Sequence, residues 1–177
     1  MGQRDQDYVL SGIVELDDAY FGAPQSNGKR GRGTEKTSAL AVVSLTKQGH
    51  PRFLKIQISK LDAESVSALA QKTICPGSEI HSDALGSFRA ALRKRYDHHF
   101  RIFDQDSGAL RWVHILISNV KSFFLGTYHG LGKKHLQSYF DEFAFRFNRR
   151  FWPEQLFPRL VRAVAASNIL GYVDLTR

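Results

Sequence analysis

Ile-Val-Glu-Leu-Asp-Asp-Ala-Tyr-Phe-Gly, residues 13–22, combines the composition of a buried β-strand with two adjacent acids. β-Branched, aromatic and large aliphatic residues favour a core strand. An ionised carboxylate is costly in such a place unless a cation or hydrogen-bond donors compensate it. The stretch therefore predicts a core strand with a functional site beside it. A solvated edge strand would also accommodate the two acids, so this alternative stays open at this point.

Strand alternation assigns the two acids to opposite faces. Asp17 shares its face with Glu15 and Phe21, and Asp18 shares the other face with Leu16. We therefore expect at most one acid of the pair to face any given site, and we assign Asp17 to it.

The composition bounds the class of protein. A chain of 177 residues with 42% hydrophobic content suits one globular domain over residues 1–177. The net charge of +8 favours a polyanionic partner, nucleic acid first, over a small-molecule substrate. The single cysteine, Cys75, excludes an internal disulfide and a zinc site built from several cysteines.

Neither a membrane span nor a signal peptide is predicted. No apolar run approaches the roughly 20 residues that cross a bilayer, and the first residues lack the apolar core of a signal peptide. We expect a soluble, cytoplasmic protein, associated with the nucleoid if it binds DNA.

The pattern along the chain predicts a mixed α/β fold. After the first strand, strands are predicted at 38–45, 52–59, 78–82 and 98–103, the first three strands of the chain forming an antiparallel meander. Helices are predicted at 62–73, 84–95, 110–125, 134–150 and 158–170, so that the carboxyl-terminal part, about 110–177, is helical.

Residue-level predictions follow for a basic loop, a polar turn and the last two helices. The loop 23–37 is basic through Lys29, Arg30 and Arg32, and either contacts phosphates or is a solvated hairpin tip. Asp104 and Asp106 are assigned to a polar turn. The helix at 134–150 is predicted to bury one face, formed by Leu136, Tyr139, Phe140, Phe143 and Phe147. Its polar stripe is predicted as Ser138, Glu142, Arg146, Arg149 and Arg150. The last helix is predicted to bury Leu160, Val164 and Ile169.

A second acid, Asp83, follows a predicted strand and precedes a helix. Ligands collect at the carboxyl ends of strands in open α/β sheets, although Asp is also a common helix N-cap. Acids on separate strands, with a polar residue on a later helix, are the components of a divalent-metal site. Two such ions about 4 Å apart support nuclease and strand-transfer chemistry at phosphorus.

Several motifs together resemble the ISXO2-like transposase domain of a family of bacterial insertion sequences. They are Val14-Glu-Leu-Asp-Asp-Ala-Tyr-Phe-Gly22, Arg30-Gly-Arg-Gly-Thr-Glu-Lys-Thr37, His81-Ser-Asp83, Ile117-Ser-Asn-Val-Lys121, Gly126-Thr-Tyr-His-Gly130, Lys134-His-Leu-Gln137 and Tyr139-Phe-Asp-Glu-Phe-Ala-Phe-Arg-Phe-Asn-Arg-Arg150. The resemblance covers nearly the whole chain.

The resemblance implies an RNase H-like fold, a mixed sheet flanked by helices with a helical carboxyl-terminal segment. It implies a DDE-type transposase that cleaves element ends and transfers them to target DNA with Mg²⁺ or Mn²⁺, expected as two ions. Asp17 corresponds to the first catalytic acid and Asp83 to the second.

The third catalytic place is assigned to Asn119, with Glu142 in reserve. In this group the usual Glu can be replaced by Asn, and Asn119 has 35 residues between it and Asp83. The alternative for Asn119 is a polar helix cap near Ser118. The alternative for Glu142 is an ion pair with Arg146, one helical turn away.

For DNA contact, Lys121 looks like the basic residue that holds the substrate. A surrounding cationic surface, or in the alternative an ordinary solvated face, is predicted from His129, Lys133, Lys134, Arg146, Arg149 and Arg150.

Two other functions compete with the transposase. One is a DNA-binding remnant that no longer cleaves, and the other is an RNase H-like nuclease acting on other substrates. Transposases of this fold generally act as assemblies, so a homo-oligomer on DNA is expected. Related full-length enzymes carry an amino-terminal zinc-ribbon-like region that one cysteine cannot build, which predicts a catalytic fragment or a truncated element.

Overall fold

The structure is a computed structural model that describes residues 2–5, 8–22, 36–101, 108–128, 132–168, 171 and 173. Several predicted features lie outside these residues: most of the basic loop with Lys29, Arg30 and Arg32, the turn acids Asp104 and Asp106, His129 and Ile169. None of the helices in the described ranges is both long and apolar enough to cross a membrane.

Five strands form one mixed sheet in the order β3-β2-β1-β4-β5. Their bounds are Ile13–Phe21 (β1), Thr37–Leu45 (β2), Pro51–Ile58 (β3), Glu79–Asp83 (β4) and Asp97–Arg101 (β5). The first three strands pair antiparallel, which confirms the predicted meander, and β4 runs parallel to both β1 and β5. Because β1 is central, the edge-strand interpretation of its acids is wrong. The predicted mixed sheet flanked by helices is confirmed.

Helices cover both faces of the sheet. Their bounds are Gly2–Asp5 (α1), Ala63–Thr73 (α2), Gly86–Leu92 (α3), Arg111–Thr127 (α4), Leu136–Asn148 (α5) and Pro153–Ala165 (α6), with a short 3₁₀ turn at Lys133–His135. The predicted cap of α2 is present, because the Asp62 carboxylate accepts a hydrogen bond from the Ser65 backbone N–H at 2.8 Å.

Alternation in β1 distributes the core over the two faces. Ala19 and Phe21 pack with α4 and α5 on one face. Val14 and Leu16 pack with α2 and α3 on the other. Asp17 alternates with Ala19 and Phe21 along the strand, so its side chain leaves β1 on the face that carries α4.

The last helix begins earlier than predicted. Pro153 stands in its first turn, where a proline loses no hydrogen bond because the first helical N–H groups have no partner in the helix. The predicted burial of Val164 is wrong, since this side chain is 65% exposed. Leu160 is half-buried.

Two side-chain amides of α5 form hydrogen bonds with backbone N–H and carbonyl groups on the open edge of β3. Asn148 accepts a hydrogen bond from the Leu54 N–H at 2.7 Å and donates one to the Leu54 carbonyl at 3.0 Å. Gln137 accepts from the Ile58 N–H and donates to the Ile56 carbonyl, both at 2.9 Å. The two amides are about three helical turns apart and therefore point the same way. They occupy backbone groups that an exposed edge would offer to another strand.

We expect Asn148→Leu to destabilise the protein by about 2–3 kcal/mol, because it leaves a buried N–H and carbonyl of β3 without partners. The matched control is Gln137→Leu, at a more exposed position on the same edge, which should cost about 1 kcal/mol or less. Urea denaturation measures both. If both variants lowered the free energy of unfolding equally, burial of the β3 backbone groups would not explain the loss of stability.

Arg149 was predicted to belong to an exposed cationic surface, and the structure instead places it inside. Its side chain is only 10% exposed and its guanidinium forms two bonds to the Asp5 carboxylate, at 2.7 and 3.1 Å. It also stacks 3.7 Å from the Phe145 ring centroid. The prediction failed because the helical repeat assigns residues 146, 149 and 150 to one polar stripe but does not show that α1 packs on this stripe at Arg149. Arg149 therefore fastens α1 to α5.

Candidate metal centre

The candidate site lies where β4 ends beside β1. Leu16 and Ser82 are the last parallel pair of these strands, so Asp17 and Asp83 occupy the next positions. Beyond this point β1 continues to Phe21 and pairs with β2 on its other side. The carboxyl end of β4 thus brings the two predicted catalytic acids together, as expected.

Asp18 joins them, which corrects the expectation that only one acid of the pair could face the site. Asp17, Asp18 and Asp83 each offer a carboxylate oxygen, and these oxygens all lie within 4.8 Å of one another. Alternation gives the two neighbouring side chains opposite starting directions. The parallel pairing of β1 with β4 ends at Leu16 and Ser82, so β4 does not separate carboxylates that start from opposite faces of β1, and their oxygens come close together.

The chemistry of this cluster fits a hard divalent cation. Three carboxylates at such distances repel one another, so the arrangement is costly without a compensating charge. Carboxylate oxygens are the ligands that Mg²⁺ and Mn²⁺ prefer. Each of the three residues is partly exposed, which leaves room for water ligands and a substrate.

Asp83 also holds the turn that follows it. Its Oδ1 accepts a hydrogen bond from the Leu85 backbone N–H at 3.0 Å, and α3 begins at Gly86. The predicted alternative of a helix N-cap is wrong for Asp83, because the N-cap residue of α3 is Leu85 and no side chain caps this helix; Asp83 instead closes the turn before it. The bond fixes one oxygen and so sets the direction of the carboxylate.

Glu15 fastens α4 to the sheet. It is 7% exposed, and its carboxylate accepts a hydrogen bond from the Val113 backbone N–H at 2.8 Å. The residue before α4, Leu110, provides no side-chain cap, so a carboxylate from β1 serves the N-terminal N–H groups instead. Burial raises the pKa of Glu15, and the bonds from the Val113 and Trp112 N–H groups oppose the rise.

This attachment brings His114 to the acids. Its Nε2 lies 3.0 Å from the Asp17 Oδ2, with side-chain exposures of 32% for His114 and 15% for Asp17. Burial lowers the pKa of His114, and the Glu15 and Asp83 carboxylates oppose the fall. Sequence reasoning missed this residue. A signal existed, since His114 stands seven residues, or about two helical turns, before Lys121 and so shares its flank.

Asn119 lies in the middle of α4, so the alternative of a helix cap is wrong. It is exposed, and it lies five positions after His114, which is a rotation of about 140° around the helix. It shares its flank with Trp112, which donates to the Gly49 carbonyl at 2.6 Å, and with Phe123, which packs on Phe143. That flank is directed at the β2–β3 turn and α5. The opposite flank is the one that carries His114 and Lys121.

Glu142 is held by two partners on the helical side of the fold. Its carboxylate accepts a hydrogen bond from the Tyr128 hydroxyl at 2.8 Å and pairs with Arg146 at 2.7 Å. The predicted ion pair with Arg146 is therefore confirmed. Among the described residues, Glu142 is not part of the acid cluster.

We expect Glu142→Gln to leave DNA nicking nearly unchanged and to lower stability by no more than about 1 kcal/mol, because Arg146 is exposed and the pair is screened. The Gln amide keeps an acceptor for Tyr128. Nicking and urea denaturation are measured on the same preparation. A loss of nicking as large as that of an Asp17 variant would return Glu142 to the metal site.

Only some residues of the predicted cationic surface are exposed in the structure. Lys121, Lys133, Lys134 and Arg146 are exposed, as a DNA contact requires. The Lys121 ammonium lies 5.7 Å from the Phe21 ring centroid, on the flank of α4 that faces the acids. Arg150 is half-buried and donates to the carbonyls of Pro51 and Arg52.

Arg101 is a cation that sequence reasoning missed. It pairs in register with Asp83, and it lines a cleft of about 260 Å³ together with Glu15, His81 and His99. Its position could not be predicted from the pattern because the register of parallel strands is set by tertiary packing. Ser82, the residue before Asp83, also lines this cleft.

The chain is similar to known proteins in sequence and in fold. The chain is similar to one in the crystal structure of a pre-cleavage Mos1 transpososome, with 12% sequence identity and a TM-score of 0.45. The similarity covers 96% of this chain and 60% of that one, so this chain spans less than two thirds of the length of that protein. Among curated proteins, none matches the sequence. Residues 9–148 match the family of the ISXO2-like transposase domain, and the chain belongs to that family.

Proposed function

We propose that this chain is the catalytic domain of a DDE-type transposase, which cleaves the DNA strands at the ends of an insertion sequence and joins them to target DNA. The single observation that carries the proposal is the cluster of Asp17, Asp18 and Asp83, with oxygens within 4.8 Å of one another. Family membership supports the choice of DNA as the substrate. Residues 1–177 are proposed to act as one domain.

Asp17, Asp18 and Asp83 would hold the metal. When bound, Mg²⁺ or Mn²⁺ ions would activate the attacking hydroxyl and stabilise the leaving oxygen at phosphorus. The chain prepares this site by fixed contacts. Leu85 orients Asp83 through its N–H, and Glu15 secures the helix that sets His114 against Asp17.

DNA would approach the acids over exposed cations. Lys121 lies over the Phe21 ring on the flank of α4 that carries His114, and Arg101 lies next to Asp83 in strand register. Lys and Arg contact phosphates without reading sequence, so these contacts position the strand and leave recognition of the element ends to other parts. Bringing two ends together requires an assembly, and we propose a homo-oligomer on DNA.

The test is divalent-metal-dependent nicking of supercoiled plasmid by the purified chain, with DNA binding measured in parallel over a range of salt concentrations. The proposal expects nicking with Mn²⁺ or Mg²⁺ and none with excess chelator. Salt-sensitive binding without nicking under any metal would favour a DNA-binding remnant. Nicking confined to RNA–DNA hybrids would favour a different RNase H-like nuclease.

A further inference from the structure

The two flanks of α4 have different surroundings. His114 and Lys121 lie on the flank that faces β1, where His114 contacts Asp17 and Lys121 covers Phe21. Asn119 lies on the other flank, with Trp112. A side chain on that second flank would have to cross the width of the helix to reach the carboxylates. The helix therefore offers a different residue to the metal site from the one that sequence spacing indicates.

The distance at His114 suits coordination. Ligands at adjacent corners of an octahedron of radius 2.0–2.1 Å are about 3 Å apart. The separation of the His114 Nε2 from the Asp17 Oδ2 is 3.0 Å. One ion could thus take both atoms without movement of α4, which Glu15 anchors through the Val113 N–H.

We propose that His114, in place of Asn119, is the residue of α4 that joins Asp17, Asp18 and Asp83 as a fourth side-chain ligand of the metal site. The assignment rests on the proposed function, because it concerns the same ion. It differs from a purely positioning role, in which His114 would only donate a hydrogen bond to Asp17. The site then combines carboxylate oxygens with one imidazole nitrogen.

A nitrogen ligand would change which divalent ion the site binds most tightly. Imidazole favours transition metals, whereas Mg²⁺ prefers oxygen. The parent chain should bind Mn²⁺ in clear preference to Mg²⁺. The variant His114→Glu, which supplies a carboxylate at the same position, should narrow that preference.

The decisive experiment is pulsed electron paramagnetic resonance of Mn²⁺ bound to the purified chain, in which a directly coordinated imidazole gives a ¹⁴N coupling. We expect the coupling in the parent and its loss in His114→Gln, whose amide can still donate a hydrogen bond to Asp17. Asn119→Ala and His81→Gln should keep the coupling. Calorimetric titration should show a Mn²⁺ affinity lowered by more than about 100-fold in His114→Gln, because loss of a residue that only orients a ligand typically costs about 10- to 100-fold.

Each outcome decides between the possibilities. Absence of a ¹⁴N coupling in the parent, or its persistence in His114→Gln, would overturn the assignment. So would a loss of Mn²⁺ affinity in Asn119→Ala equal to that in His114→Gln. Nicking without the coupling would refute the role of His114 and leave the proposed function standing. Coupling without nicking would support the ligand and refute the function, and a chain that binds no Mn²⁺ would refute both.

Discussion

Asp17→Asn and Asp83→Asn are each expected to lower metal-dependent DNA nicking by about a thousandfold or more, which corresponds to roughly 4 kcal/mol of transition-state stabilisation. Each change replaces a charged oxygen ligand with a neutral amide at the acid cluster, where the ions would stabilise charge on the phosphorus oxygens. The measurement is the initial rate of plasmid nicking with Mn²⁺ at equal concentrations of folded protein.

Stability separates this effect from misfolding. The Asn at position 83 keeps an oxygen that can accept from the Leu85 N–H, and removing one of three clustered carboxylates relieves repulsion. We therefore expect Asp83→Asn to melt at the same temperature as the parent or higher in the absence of metal. Asp62→Asn, which keeps a good cap of α2 away from the cluster, serves as the control for a single lost charge. Unchanged nicking in Asp83→Asn would remove this residue from the site.

Arg149→Ala and Asp5→Ala are each expected to lower the free energy of unfolding by about 3–5 kcal/mol, because each leaves the partner's charge buried and unpaired. The two side chains are only 10% and 11% exposed. The loss from Arg149→Ala also includes the stacking on Phe145. Urea denaturation at neutral pH gives the values.

The double variant Asp5→Leu with Arg149→Met tests the cause. If the loss comes from an uncompensated charge, replacing both partners with apolar side chains should recover most of it. Arg146→Ala, an exposed arginine on the same helix, should cost no more than about 1 kcal/mol. A cost for Arg149→Ala as small as that of Arg146→Ala would contradict the structural role and restore Arg149 to the candidate DNA surface.

Exposed cations and buried cations cannot be told apart by the charge pattern of α5. The repeat of 3.6 residues gives the relative directions of its side chains, but it does not say which flank another element will cover. Arg146 remains in solvent and Arg149 does not, because α1 packs on one side of the helix only. The same limit applies to Asn148, whose partners on β3 are far away in the chain.

The sequence by itself determined most of the secondary structure and pointed to the two principal acids. Alternation defined the meander and Asp62 defined the start of α2. An acid within a predicted core strand indicated Asp17, and the end of a strand indicated Asp83, because these signals come from residues that are neighbours in the chain. Tertiary structure alone decided that Asp18 joins the acids and that His114 faces them. Both depend on where β4 stops and on how Glu15, 98 positions from Val113, attaches α4 to the sheet. Such contacts are fixed by packing between distant segments, which local patterns do not encode.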